Sequence, residues 1–303
     1  MAYIAIDIGG TAIKAGIVSS SGELSDRTAV KTPKQSYEEL MSVLCDLVRW
    51  GMDHASIEGI ALSQPCATNP SSAEAISEGA LIYIKNTNPA RDLGRRFLLP
   101  YSAENDGNCA ALAEVWLGSA KDYNNIVSVV SGTGIGGAIV KDRNIHHGDK
   151  LFAGEFGMCI TGFDAKTHKP ICWSENGSTQ ALVLNYASES GQDPSKLNGR
   201  AVFEYAELGD EVAQRCIDRF FEVFVLGIHN IQHIYDPECI LVGGGISERS
   251  DFLTCLSVAM DKFYSQFDLV MSIPVVKTCA FGADANLIGA VYHHLSHRVS
   301  HPV

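Results

Sequence analysis

Three apolar runs in this chain each stop at a cluster of glycines: Gly9–Gly10, Gly132–Gly136 and Gly243–Gly245. In the first, Ile4, Ile6 and Ile8 alternate with Ala5 and Asp7, the period of a β-strand. Apolar residues resume after the first turn (Ile13, Ile17, Val18) and after the second (Gly136 to Val140), so both read as β-hairpins. The two hairpins lie about 120 residues apart, far too long a spacing for a solenoid. It suits a duplicated domain, each half opening with a hairpin whose turn faces one shared cleft. Glycine tolerates positive φ and leaves backbone N–H groups uncovered, and such groups cradle phosphate oxygens.

The intervening sequence alternates strands with helices. Leu40, Val43, Leu44, Leu47 and Val48 have helical spacing, which predicts an amphipathic helix over Tyr37–Trp50 behind a Ser36 cap. Further helices are expected from about Gly107 to Leu117, through an apolar stretch ending before Pro237, and in the closing "GADANLIGAVYHHLSH". The class is therefore α/β. With 303 residues, 46% of them hydrophobic, the chain can bury a large core in one or two domains. A formal charge of −12 argues against nucleic acid or an anionic membrane as the main partner, but not against ATP held by a local nest of N–H groups. Nine cysteines stand at 45, 66, 109, 159, 172, 216, 239, 255 and 279, with no CxxC pair. Most sit among apolar residues, so reduced, buried thiols and a cytoplasmic location are expected. The N-terminus enters a strand with no basic signal-like region, and no apolar run approaches the ~20 residues of a membrane span.

One glycine turn would be weak evidence, because glycines suit any tight turn. Three at strand ends in one chain suit a nucleotide whose charge is spread over three phosphates. The P-loop pattern is absent. "GTGIGG" opens a strand and not a helix, which excludes a dinucleotide fold. Asp7 is out of place beside phosphates unless a metal ion stands between them. Read alone, its segment also fits an ordinary hairpin with a solvent-facing aspartate.

The segments "IDIGGTAIKAG", "ENDGNCAALAE", "SGTGIGGAIV", "AGEFG" and "ILVGGGIS" occur in the order and spacing of the ROK sugar kinases, which the chain resembles over nearly its whole length. The resemblance implies two actin-like, ribonuclease H-like ATPase domains around a central cleft. The expected boundaries are 1–107 with 285–303 for the small domain and 108–284 for the large one. It implies ATP and Mg²⁺ as cofactors, with Asp7 facing Mg²⁺ through water. Gly9, Gly10, Thr11 and Lys14 would line the phosphate path, Gly132, Thr133 and Gly134 the second phosphate turn, and Gly244 and Gly245 the adenosine. Asp106 would be the base that accepts a proton from the sugar hydroxyl, a task for a carboxylate within hydrogen-bond reach. On its residues alone, Asp106 equally suits a helix N-cap, and one oxygen can serve each role. The resemblance places Asn105, Glu155, Glu175 and Gly79 at the sugar. It also implies a homodimer acting on a small-molecule sugar.

The chain departs from the family pattern in one region. Most members carry GE-x-x-H and a cysteine-rich zinc cluster; here the His position is Met158, and only Cys159, His168 and Cys172 follow. Three candidates without a CxC or CxxC pair do not make a structural zinc site, so two buried thiols and a loop histidine are expected. Met158 offers an apolar surface where a polar contact to the anomeric end is usual. This makes the chain resemble kinases of the β-glucoside type, which phosphorylate cellobiose-like sugars at the 6-hydroxyl; a free hexose stays open as the alternative. The family also contains sugar-responsive repressors, but these place a helix-turn-helix ahead of the first strand, and none is read here.

Overall fold

A computed structural model describes residues 1–299. The chain forms two compact units. The first comprises Met1–Asp122, Arg143–Ala153 and Phe281–Val303, of which 300–303 lie outside the described residues; the second comprises Tyr123–Asp142 and Gly154–Ala280.

The first unit begins with β1 (Ala2–Ile8), β2 (Ala12–Ser19) and β3 (Leu24–Lys31), followed by α1 (Tyr37–His54) and β4 (Ile57–Gln64). Then come α2 (Pro89–Phe97), β5 (Tyr101–Asn105) and α3 (Asp106–Trp116). Its sheet has the order β3-β2-β1-β4-β5. β1 is antiparallel to β2 and parallel to β4, which is parallel to β5. Ser36 caps α1 by accepting from the Glu39 N–H, as its sequence predicts. Leu40, Leu44, Leu47 and Val48 of α1 are buried among Ile4, Ile6, Ile13 and Leu62.

The second unit opens with β6 (Ile126–Ser131) and β7 (Ile135–Lys141). After the two-residue β8 (Asn144–Ile145), which belongs to the first unit, follow the antiparallel hairpin β9 (Ile160–Phe163) and β10 (Pro170–Cys172). Next are α4 (Trp173–Gly177), α5 (Thr179–Ser190), α6 (Gly199–Glu207) and α7 (Glu211–Tyr235). β11 (Cys239–Gly243), α8 (Phe252–Tyr264) and β12 (Val276–Thr278) complete it, and α9 (Ala285–His297) returns to the first unit. The run β12-β11-β6-β7 repeats β5-β4-β1-β2 with the same strand senses. The duplication expected from the two glycine hairpins is thus present in the topology. Phe220, Phe224, Trp173 and Phe252 fill the second core.

Packing puts the division elsewhere than at 107/108. Cys109 packs with Leu287 and Val291, and Ala113 with Ala285 and Ile288. This apolar seam between α3 and α9 holds α3 in the first unit, which continues to Asp122. The expected stretch 300–303 lies outside the described residues. Among the described residues, no helix is long and apolar enough to cross a membrane.

Candidate active site

In the first unit, the β1–β2 turn presents Gly9, Gly10 and the exposed Thr11 directly after Asp7. Asp7 is buried, and its Oδ1 accepts from Ser63 Oγ at 2.7 Å and from Asn286 Nδ2 at 3.0 Å. Both bonds fall on one oxygen, so Oδ2 keeps its acceptor capacity for a hard cation or its water, which is the fit Mg²⁺ requires. The turn is braced by a residue its own motif does not contain. Thr32 donates through Oγ1 to Gly9 O at 2.7 Å and through its N–H to Thr11 O at 3.0 Å. Lys34 donates to Gly10 O and brings a cation to the turn. Lys14, the cation expected there, instead places Nζ on Ala283 O at 3.2 Å.

Asp106 lies at the junction of β5 and α3. The cap of α3 is Asn105, one residue earlier than the capping role considered for Asp106: Asn105 Oδ1 accepts the Asn108 N–H. Asp106 is the first helical residue. Its Oδ1 accepts from Gly107 N at 2.9 Å and Asn105 Nδ2 at 3.0 Å, and no protein donor reaches Oδ2 among the described residues. Burial, aided by the Asp7 charge and opposed by the Gly107 and Asn105 hydrogen bonds, leaves its carboxyl raised to about 6. A carboxylate poised there, with one oxygen anchored and one unengaged, has the state a general base needs near neutral pH. Asn105 also donates to Cys66 O at 3.2 Å, so both its amide hydrogens serve the turn. Gly79 sits at φ 53° on an exposed loop, where a Cβ would meet Pro65 O at 1.5 Å. Its backbone requirement is therefore structural.

The second unit holds a cavity of about 840 Å³, lined in part by Gly132, Thr133 and Gly245. Phe203, Ile246 and Val183 supply apolar wall, and Gln180, Asn198 and Arg249 polar edges. The Arg249 guanidinium stands 4.1 Å from the Phe203 ring centroid. An apolar slot with polar groups at its rim, floored by exposed glycine backbone, fits a nucleoside and its phosphates. The Gly132 turn is held by Gln180 N donating to Gly132 O at 3.0 Å and by Ser174 Oγ accepting from Ile135 N at 2.9 Å. Gly134 packs on Ser174 and is not among the lining residues. Gly244 does not line the cavity either. It turns the chain at φ 93°, where a Cβ would lie 2.1 Å from Ser131 O.

Glu155 precedes and Met158 ends a single 3₁₀ turn, Phe156–Met158, in the second unit. The Glu155 carboxylate is exposed and has no hydrogen-bond partner among the described residues. Met158 is 70% exposed and is followed by exposed Ile160 and Phe163. Glu175 closes a capping box on α4, its Oε2 accepting from Cys172 N at 2.7 Å, which occupies one of its two oxygens. The nearby thiols differ from expectation: Cys159 is exposed and Cys172 half-buried, because the β9–β10 hairpin packs no core against them. Five other cysteines are buried. Among the described residues, no group of three or more His, Cys, Asp or Glu is arranged to hold a metal ion.

With two repeated α/β units, a phosphate-type glycine turn in each and a poised carboxylate at Asp106, this chain belongs to the ROK family, whose family model matches residues 3–296. A beta-glucoside kinase of Klebsiella pneumoniae is 36% identical over 299 residues, covering 97% of this chain and 96% of the relative. A beta-glucoside kinase of Listeria monocytogenes serovar 1/2a is 32% identical over 303 residues, covering 99% and 100%. Among solved structures, a ROK family protein from Streptococcus pneumoniae TIGR4 in complex with sucrose matches with a TM-score of 0.88 and 32% identity, over 97% of this chain and 98% of that one.

Proposed function

We propose that the protein is an ATP-dependent kinase of β-glucosides that phosphorylates the 6-hydroxyl of a cellobiose-like sugar. The observation that carries phosphoryl transfer is the state of Asp106: Oδ1 anchored by Gly107 and Asn105, Oδ2 unengaged, and the carboxyl raised to about 6. In this reading Oδ2 accepts the proton of the sugar hydroxyl as that oxygen forms its bond to the terminal phosphorus of ATP and ADP leaves. The Gly9 and Gly132 N–H groups close their own turns on Ala12 O and Gly134 O, so the N–H groups of Gly10, Thr11, Thr133 and Gly134 bind phosphate oxygens, and the Phe203–Ile246 slot binds the base. Mg²⁺, when bound, neutralises phosphate charge, with Asp7 holding its water. Glu155 accepts hydrogen bonds from sugar hydroxyls, with Glu175 and Asn105 in support.

The β-glucoside assignment rests on Met158. Its exposed thioether, continued by Ile160, gives an aglycone or second sugar ring an apolar surface. The relatives named beta-glucoside kinases support the same choice. A homodimer in the cytoplasm is the accompanying expectation. The test is ADP release by the wild-type protein with cellobiose, gentiobiose, glucose, fructose and N-acetylmannosamine. The β-glucosides should give the highest kcat/KM. Faster turnover of free glucose would replace the substrate assignment, and no turnover of any sugar would remove the kinase reading.

A further inference from the structure

One buried side chain next to the base has no part in the scheme above. Glu104, the residue before Asn105, is fully buried, and both its oxygens are engaged. Oε1 accepts from the Asn105 N–H at 2.7 Å and from Asn108 Nδ2 at 2.9 Å, and so clamps both ends of the four-residue turn that contains Asp106. Oε2 accepts from His147 Nε2 at 2.7 Å. The only other donor near Oε2 among the described residues is His293 Nδ1, at 3.7 Å, beyond hydrogen-bond length. Burial works to raise the Glu104 carboxyl, yet the His147 hydrogen bond and the two neighbouring imidazoles hold it below its ordinary value. Burial lowers His293 to about 4, and at 3.7 Å its Nδ1 stands too far off to hydrogen-bond, so the His147 bond is the one that holds Oε2.

His147 belongs to the segment Arg143–Ala153, which closes on itself where Ala153 N donates to His147 O at 3.2 Å. The chain then runs directly into Gly154 and Glu155. We propose that Glu104 and His147 are positioning residues for phosphoryl transfer: His147 fixes one oxygen of Glu104 so that the other holds the Asn105–Asn108 turn, and with it Asp106, in line with the sugar hydroxyl. This rests on the kinase reading given above. Without the His147 donor, Oε2 is a buried acceptor whose nearest donor among the described residues is His293 Nδ1 at 3.7 Å, and the side chain must turn to reach it. Any such turn releases Oε1 from Asn105 or Asn108. A displacement of the base by about 1 Å is enough to cost on the order of 10²-fold in rate.

The test compares His147→Leu, which removes the donor, with His147→Gln, whose amide can donate to Oε2. His147 borders a cavity of about 230 Å³, so neither side chain is forced into a packed wall. Hydrogen exchange of the peptide spanning 102–110 is measured on each protein, together with kcat and both KM values. The leucine variant should lose about 10-fold or more in kcat, keep its KM for ATP, and exchange faster at 102–110. The glutamine variant should recover most of kcat and the slow exchange. Wild-type kcat in the leucine variant, equal impairment in both variants, or unchanged exchange at 102–110 would each overturn the proposal. Should the leucine variant not fold, His147→Asn, polar but too short to reach Oε2, takes its place with the same expectations. Exchange needs no turnover, so a wild-type protein inactive on every sugar would defeat the kinase reading while the Glu104–His147 clamp is still tested.

Discussion

Replacing Asp106 by Asn should make the protein inactive and more stable at once. The rise of its carboxyl from 3.8 to about 6 means that the folded state resists the ionised form. At 1.36 kcal/mol per pH unit this corresponds to about 3 kcal/mol at pH 8. A raised carboxyl contributes stability only while it is protonated, and that contribution is lost as pH rises from the ordinary carboxylate range through about 6. The neutral amide escapes the loss and still offers an Oδ1 to the Gly107 N–H. Asp106→Asn should therefore exceed the wild type by about 3 kcal/mol in urea unfolding at pH 8, and by about half of that at pH 5. Its kcat should fall by about 10²–10⁴, the usual share of a general base. In the wild type, kcat/KM should decline as pH drops below about 6. A stability difference that does not change between pH 5 and 8 would refute the raised carboxyl, and wild-type turnover by the variant would refute the base.

Gly244→Ala and Gly245→Ala should separate folding from nucleotide binding. The first puts a Cβ 2.1 Å from Ser131 O at φ 93° and should destabilise by about 1–3 kcal/mol or more; the second meets no atom within 4 Å, so thermal unfolding should be unchanged while KM for ATP rises roughly 10-fold or more. Met158→His should lower kcat/KM for cellobiose relative to glucose by about 10–200-fold, the worth of a misfit in an apolar pocket, with the ratio between substrates as the readout. With Mg²⁺ in excess, a strong zinc chelator should leave activity and melting temperature unchanged; loss of both would give Cys159, His168 and Cys172 a structural zinc.

Hairpins and α1 are legible because their signals are local: a period of two broken by glycines, and a period of 3.6 behind Ser36. The N-terminus of α3 is legible only to within a residue, since Asn105 and Asp106 both have the chemistry of a cap and the choice rests on backbone angles. The lining of the second unit's cavity is half legible. Gly132, Thr133 and Gly245 announce themselves by composition, whereas Asn198, Phe203 and Arg249 reach it from α6 and the segment before α8 and carry no spacing that links them. Thr32 and Lys34 escape for the same reason: they follow β3 in sequence and meet the Gly9–Thr11 turn only through strand pairing. The thiols of 159 and 172 looked apolar by their neighbours, yet Ile160 and Phe163 beside them are themselves exposed.

The position of the phosphate on the product tests the central claim most directly. Cellobiose turned over with ATP and Mg²⁺ should yield one monophosphorylated disaccharide, its glycosidic bond intact. Phosphorus–proton correlation should join the phosphate to a C6 methylene. Phosphate on a ring hydroxyl or the anomeric oxygen would contradict the account, as would an untouched disaccharide beside phosphorylated free glucose.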